Sequence, residues 1–468
     1  MKMQPTNWTS LLHALSAVGD LYGRSVVGAE ASIALSDLVG GTALYSRGDD
    51  LRGRSVLVAT TSQFTTASAL IELDGVARRI VLCPPDLPIQ HLPFVIETGE
   101  VDAIVSDQKK LFDLDNHHSV YFTPCSQTIV PRSYQWDAQH QTEWILLTSG
   151  TTGRPKMVSH TLASLAGAIE RSQTPVGDII WSTFYDIRRY GGLQIFLRAI
   201  LTGRSLILSN SQESTAEFLT RVALNGVTHI SGTPSQWRRA LMSPVAHEIN
   251  PEYIRLSGEV ADQVILNHLK AFYPKAKVDH AFASTEAGVA FEVKDGMAGF
   301  PVTTIDKTEN VEMKVVDHTL RIRSPRTASR YLGPLAPILK AADGFVDTGD
   351  IVELREGRYF FVGRRDGIIN VGGLKVYPEE VEAVINRHPE VQMSLVRAKK
   401  NPVTGALVVA DVVLTTTTLS PGTDVRTLQN DILLLCRETL STYKVPAVIN
   451  FVPTLAVAES GKMVRQNA

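Results

Sequence analysis

Short apolar runs and amphipathic stretches take turns along most of the chain. The runs "RSVLVAT" (54–60), "RRIVLC" (78–83), "VDAIVS" (101–106), "EWILLTS" (143–149), "RSLILS" (204–209) and "VTHISG" (227–232) are β-rich. Between them lie stretches of helical spacing such as "TAEFLTRVALNG" (215–226) and "DQVILNHLKAFY" (262–273). Such alternation predicts α/β architecture up to about residue 365, with parallel sheets covered by helices. After "FVGRRDG" the texture changes. Pro378 opens a helix over Glu379 to Arg387, with Val381, Val384 and Ile385 on one face. "VQMSLVRAK" and "ALVVADVVLT" then flank a turn at Asn401-Pro402, and a helix (Asp424 to Leu440) and a last strand (Val445 to Val452) follow. The pattern predicts a large domain over 1–365 and a small α+β domain over 366–468.

Length and composition narrow the class. A chain of 468 residues has room for two or three domains with sizeable cores. With 46 basic against 48 acidic residues the net charge is −2, so no global field favours nucleic acid or an anionic membrane, and any bound anion must be held locally. Cys83, Cys125 and Cys436 are far apart and lack paired metal-ligand spacing, which points to a reducing compartment without a disulfide framework. The first twenty residues, with one lysine and an apolar stretch broken by His13 and Ser16, are too weak for a secretory signal. Apolar runs such as "GALVVADVVL" are interrupted well short of the roughly 20 residues of a membrane span. The expected location is the cytoplasm.

The stretch with the most chemistry is "LLTSGTTGRPKMVSH" (146–160). Gly150 and Gly153 let backbone N–H groups converge, Thr148, Ser149, Thr151 and Thr152 add hydroxyls, and Lys156 adds a positive charge. Together these make a nest for phosphate oxygens, although a solvated turn has the same composition. The nucleoside-triphosphatase pattern is absent, because the glycines stand too close and Lys156 follows Pro155. His160 reads as polarity at a helix start.

This loop resembles the phosphate loop of the adenylate-forming superfamily of acyl- and aryl-CoA ligases, nonribosomal adenylation domains and luciferases. Four further motifs follow in that superfamily's order. "AFASTEAG" (281–288) is similar to its aromatic-Gly-x-Thr-Glu motif, "DTGD" (347–350) to its ribose motif, "GRRDGIINVGGLKVYPEEVE" (363–382) to its hinge, and "ESGKMVR" (459–465) to its terminal lysine motif. "ISGTPSQWRRAL" and "LSGEV" match more weakly, and the likeness runs from about residue 145 to the end.

The resemblance implies two steps: a carboxylate attacks the α-phosphorus of ATP to give an acyl-adenylate, and a thiol, usually that of coenzyme A, then takes the acyl group. It implies that residues 148–156 hold the β- and γ-phosphates, that Thr285 bonds the α-phosphate and that Glu286 binds Mg²⁺, which favours carboxylate plus phosphate oxygens. Asp350 would accept both ribose hydroxyls beside Arg364. Ser257, Gly258 and Glu259, with Ala281 and Phe282, would complete the nucleotide contacts. Lys462 would stabilise charge on the α-phosphate and carboxylate oxygens. Asp366 would be the hinge of a mobile small domain, loosened by Gly367 in place of a second acid. Gly372 and Gly373 would let pantetheine pass close to the backbone.

The resemblance draws the acid pocket from Tyr185, Gly232, Gly258, Ala281 and Ala283, with Phe184 or Tyr185 as a gate. Met157 and Ala283 stand where relatives carry glycine and are expected to narrow the acyl site, while Arg188 and Arg189 are read as solvated charge. An aryl or medium-length acyl carboxylate suits this wall. The leading expectation is an AMP-forming carboxylate–CoA ligase. Loading of a carrier-protein pantetheine, and a nucleotide- or acyl-binding protein without catalysis, are the alternatives. The oligomeric state stays open, with a homodimer as one option.

Overall fold

The computed structural model describes residues 9–45, 48–108, 120–133, 136–148, 153–170, 179–402, 404–415, 425–456 and 463. Ser149, Gly150, Thr151, Thr152 and Lys462 lie outside the described residues.

Among the described residues, three sheets build the larger part. The first has eight strands in the order Gly288–Val293, Lys277–Ser284, Tyr253–Ser257, His229–Gly232, Ile180–Thr183, Ser205–Ile207, Ser25–Val27 and Ser32–Ala34. Its six central strands are parallel and its two edges antiparallel. The second has seven, in the order Arg330–Tyr331, Lys156–Thr161, Glu143–Thr148, Arg79–Leu82, Ser55–Val58, Ala103–Ser106 and Tyr121–Pro124. It is parallel from Glu143–Thr148 onward and antiparallel at the Lys156–Thr161 edge.

Helix Gln63–Leu73 is buried over its whole length, as an all-round apolar or small-residue helix must be. It shares one core with Val26 and Leu206 of the first sheet and Val58, Ile80 and Leu82 of the second, so it is the filling between them. Helix Tyr190–Leu201 joins the same core, and just past the carboxyl ends of strands Ser55–Val58 and Ser205–Ile207 the two sets meet, Gln63 Nε2 donating to the Ser209 carbonyl at 2.6 Å. Open α/β sheets place their ligand sites in the crevice there.

The expectation of parallel sheets holds for these two layers but not for residues 300–364. There a third, antiparallel sheet runs Phe300–Pro301, Arg358–Arg364, Val346–Arg355, Thr319–Arg323 and Glu312–Val316. Two of its strand pairs, Glu312–Val316 with Thr319–Arg323 and Val346–Arg355 with Arg358–Arg364, are joined by two-residue turns with both positions at positive φ, Asp317 (49°) with His318 (62°) and Glu356 (46°) with Gly357 (78°). Turns of this hand suit tight antiparallel hairpins and leave no room for a crossover helix.

Beyond Gly367 the chain builds a separate core from Ile369, Val381, Ile385, Val396, Ile432 and Ile449 among others. Helix Pro378–Ile385 packs on strand Val391–Asn401, which pairs antiparallel with Gly405–Leu414; Val448–Phe451 adds a parallel third strand. This is the α+β unit that the periodicity predicts. No helix among the described residues is long and apolar enough to cross a membrane. All three cysteines are free.

Candidate active site

Strand Glu143–Thr148 carries the phosphate-loop sequence to the crevice, and strand Lys156–Thr161 returns antiparallel, pairing Lys156 with Thr148. The Thr148 hydroxyl is buried and has no hydrogen-bond partner among the described residues. Gly153 sits at φ +83°, a conformation that a side chain disfavours although space around it is open. Lys156 ends 5.6 Å from the ring centroid of Tyr331. The Tyr331 hydroxyl donates to Glu286 Oε1 at 3.1 Å. Two motifs 130 residues apart in the chain thus meet across one tyrosine that neither contains.

The Ser284–Ala287 turn is pinned from three sides. Ala287 N–H donates to Ser284 Oγ at 3.0 Å, Ala328 N–H donates to the Glu286 carbonyl at 2.9 Å, and His160 Nε2 lies 2.7 Å from the Thr285 carbonyl oxygen. A carbonyl only accepts, so His160 carries its proton on Nε2, and Nδ1 takes the Ser164 hydroxyl at 2.9 Å. Burial pulls the imidazole down from its ordinary 6.5 to about 4, with the Thr285 contact opposing, so it is neutral at pH 7. His160 is therefore a buried strand residue behind the Thr285–Glu286 turn, not helix-start polarity.

Asp350 and Arg364 face each other across the third sheet, Arg364 Nε standing 3.6 Å from Asp350 Oδ1. Thr348 shapes this turn: its hydroxyl donates to the Leu320 carbonyl at 2.8 Å and accepts from Asp350 N–H at 3.1 Å. Burial and the adjacent Glu286 push the Tyr331 hydroxyl up, and the Arg364 charge opposes that shift.

Ser257 ends its strand, Gly258 follows it, and Ala281 lies in register with Ser257 on the neighbouring strand. Tyr185 is buried and donates its hydroxyl to the Ser257 carbonyl at 2.6 Å. A Cβ on Gly232 would stand 2.6 Å from the Phe184 ring. Tyr185, Gly232, Gly258 and Ala281 therefore gather at the carboxyl ends of the first sheet, and Ala283 follows a register shift one step further along. Glu259 is engaged twice: Oε2 accepts from Ser235 N–H at 3.0 Å and Oε1 from Met463 N–H at 3.2 Å. Arg239 donates to the Leu455 carbonyl at 3.1 Å, a second tie between the large part and the C-terminal segment.

Several sequence expectations need correction. Phe184 is no gate; it packs edge-on against Phe218 and Trp237 at 5.0 and 5.4 Å. Arg188 is not solvated: its side chain is 1% exposed, forks onto Asp186 and donates to the Thr60 carbonyl, which joins the two sheets. Arg189 pairs with Asp86. Met157 does not narrow the acyl site but is buried beneath the sheet in one core with Val95, Ile96 and Leu147. Phe282 lies parallel to Phe361 at 4.9 Å and to Phe291 at 5.7 Å, so its ring serves the core between the first and third sheets. Gly372 and Gly373, expected to give clearance to pantetheine, form the tip of the hairpin Ile369–Val371 to Leu374–Val376 at φ 57° and 84°, a turn that favours glycine on its own account and leaves that role as a proposal.

Asp366 is exposed in the turn Arg365–Gly367. On one side of it Arg365 holds Asp347 Oδ2 at 2.8 Å; on the other Ile369 is buried in the small core.

Among the described residues no group of three His, Cys, Asp or Glu could hold a metal alone. Glu286 offers one carboxylate at the crevice, which fits Mg²⁺ arriving on a triphosphate, since that ion keeps water and phosphate ligands and takes one or two carboxylates.

The family model of AMP-binding enzymes matches residues 67–329, and that of the AMP-binding enzyme C-terminal domain matches 380–462. A 2-succinylbenzoate–CoA ligase of Listeria monocytogenes is 28% identical over 351 residues, 70% of either chain. One of Staphylococcus aureus is 24% identical over 414 residues, 84% of this chain and 81% of the relative. In fold, the chain is similar to the anthranilate CoA ligase AuaEII in complex with anthranoyl-AMP (TM-score 0.80, 15% identity, 97% and 95% of the two chains covered). It is likewise similar to the o-succinylbenzoate CoA synthetase of Bacillus subtilis (TM-score 0.73, 19% identity, 97% and 96% covered). The chain belongs to the AMP-binding enzymes, the adenylate-forming superfamily whose motifs it carries in order.

Proposed function

We propose that the protein is an AMP-forming aryl-CoA ligase. It activates an aromatic carboxylate with ATP to an acyl-adenylate, releasing pyrophosphate, and passes the acyl group to the thiol of coenzyme A, releasing AMP. The observation that carries this reading is Tyr331 set between Lys156 and Glu286, with Asp350 and Arg364 paired across the third sheet. One cation, one carboxylate and one ribose acceptor are what a Mg²⁺-nucleotide needs.

Lys156 and the Thr148 hydroxyl, which has no partner among the described residues, bind the β- and γ-phosphates with Gly153, a role shared by Ser149, Gly150, Thr151 and Thr152 in the motif. Thr285 donates to the α-phosphate from a turn that His160 fixes. Glu286 holds the metal, which supplies charge neutralisation at the phosphates. Asp350 binds the ribose diol beside Arg364. Tyr185, Gly232, Gly258, Ala281 and Ala283 wall the acid, and the 2-succinylbenzoate and anthranilate ligases among its relatives favour an aryl group there. Lys462 stabilises charge on the α-phosphate and carboxylate oxygens in the first step. Its neighbour Met463, tied to Glu259, supports an arrangement in which the C-terminal segment serves that step.

The chain divides at Asp366 into a large and a small domain. Arg365 clamped to Asp347 and Ile369 buried in the small core leave residues 366–368 as the link that absorbs rotation between the two half-reactions.

The test is a panel of acids, including 2-succinylbenzoate, anthranilate, benzoate and medium-chain acids, assayed for pyrophosphate release with and without coenzyme A. Thioester formation with at least one aryl acid is expected. Pyrophosphate release without any thioester would redirect the second step to a carrier protein, and silence across the panel would overturn ligase activity altogether.

A further inference from the structure

Tyr331 lies on a two-residue edge strand, Arg330–Tyr331, paired with Val158 and Ser159 of the strand that begins at Lys156. Opposite Val158, it is a diagonal neighbour of Lys156 on one face, the relation in which long side chains reach each other across a sheet. The ring, not a carboxylate, is what the described residues set against the Lys156 ammonium. The hydroxyl beyond it goes to Glu286 Oε1 rather than to backbone. The tyrosine thus stands between a cation and an anion on adjacent elements, which without a spacer would collapse into an ion pair. Such a pair would cost the crevice both charges at once.

We propose that Tyr331 is a positioning residue: its hydroxyl orients the Glu286 carboxylate, and its ring keeps Lys156 from neutralising it. Both groups then stay available to a nucleotide, Lys156 through its ammonium and Glu286 through its oxygens. The inference rests on the roles given to Lys156 and Glu286 under the proposed function. It adds a residue that lies outside the matched motifs.

The experiment uses the full chain and a non-hydrolysable ATP analogue, titrated calorimetrically with and without Mg²⁺. The parent is expected to bind more tightly with Mg²⁺. In Tyr331→Phe the ring remains, so metal-free affinity is unchanged while the gain on adding Mg²⁺ shrinks about tenfold, as suits one lost hydrogen bond to a charged group. In Tyr331→Leu the spacer is gone, Lys156 pairs with Glu286, and metal-free affinity falls as well. Adding Glu286→Gln to that variant frees Lys156 and restores metal-free affinity, a rescue that a folding defect would not show. An undiminished Mg²⁺ gain in Tyr331→Phe, or no rescue in the double variant, overturns the assignment to Tyr331 alone. A parent that gains nothing from Mg²⁺ overturns the metal role of Glu286 and this inference with it.

Discussion

His160 acts on the site through its neutrality. Its Nε2–H holds the Thr285 carbonyl, and burial keeps it uncharged down to about pH 4, against an ordinary value of 6.5. Between these two values the unfolded chain takes up a proton there that the folded chain refuses, so this residue withdraws stability as pH falls through that window. His160→Gln can still donate to Thr285 but cannot titrate. The variant is expected to be less stable than the parent at pH 7, by roughly 1–2 kcal/mol for a rearranged buried hydrogen bond, with the gap closing towards pH 4. Melting temperatures of both proteins across that range decide it; parallel curves would mean that the imidazole is not the source. Asp350→Asn replaces an acceptor-only carboxylate by an amide and removes the negative charge opposite Arg364. AMP binding by calorimetry is expected to weaken about tenfold, as for a lost hydrogen bond to a charged group.

At the level of elements, turns decide more than propensity. The hairpin tip at Gly372 and Gly373 has both residues at positive φ and empty space where a Cβ would go. Gly373→Ala therefore clashes with nothing, yet costs roughly 1–2 kcal/mol because an L-residue resists the left-handed region; Gly373→Asn costs less, because asparagine tolerates it. Thermal melts should rank the three as Gly, Asn, Ala. Thioester formation from a supplied adenylate should follow that ranking. An Asn variant that melts like the parent but fails at thioester formation would instead point to clearance for pantetheine. The same turn chemistry explains why the strand pairs around Asp317–His318 and Glu356–Gly357 escaped the alternating pattern: across a two-residue hairpin consecutive strands pair with each other and need no crossover helix.

In the whole molecule, hydrogen bonds among the described residues tie the C-terminal segment to the large part. Met463 is bonded to Glu259 and Leu455 to Arg239, while Gln392 reaches the Arg238 carbonyl at 3.2 Å. If this arrangement serves adenylation, Arg239→Ala should slow pyrophosphate release about fivefold, as for one net hydrogen bond near 1 kcal/mol. Thioester formation from supplied adenylate should not change. Lys462→Ala should cut the same half-reaction by roughly 10²–10³, the usual cost of one electrostatic donor. Equal losses in both halves, measured separately, would contradict either assignment.

What the chain determines alone is whatever neighbours in sequence can encode. Alternation gave the two parallel sheets, turn residues and periodicity gave the small α+β unit after Asp366, and motif order gave the family. The meeting of His160 with Thr285, 125 residues away, could not be read that way, nor could the bridge from Lys156 through Tyr331 to Glu286. Met157 and Arg188 were misplaced for the same reason: periodicity tells which residues share a face but not what that face packs against. Burial in a core and hydrogen bonds between distant strands exist only once the sheets have stacked around helix Gln63–Leu73. That stacking fixed which side chains face the crevice and which charges became internal struts.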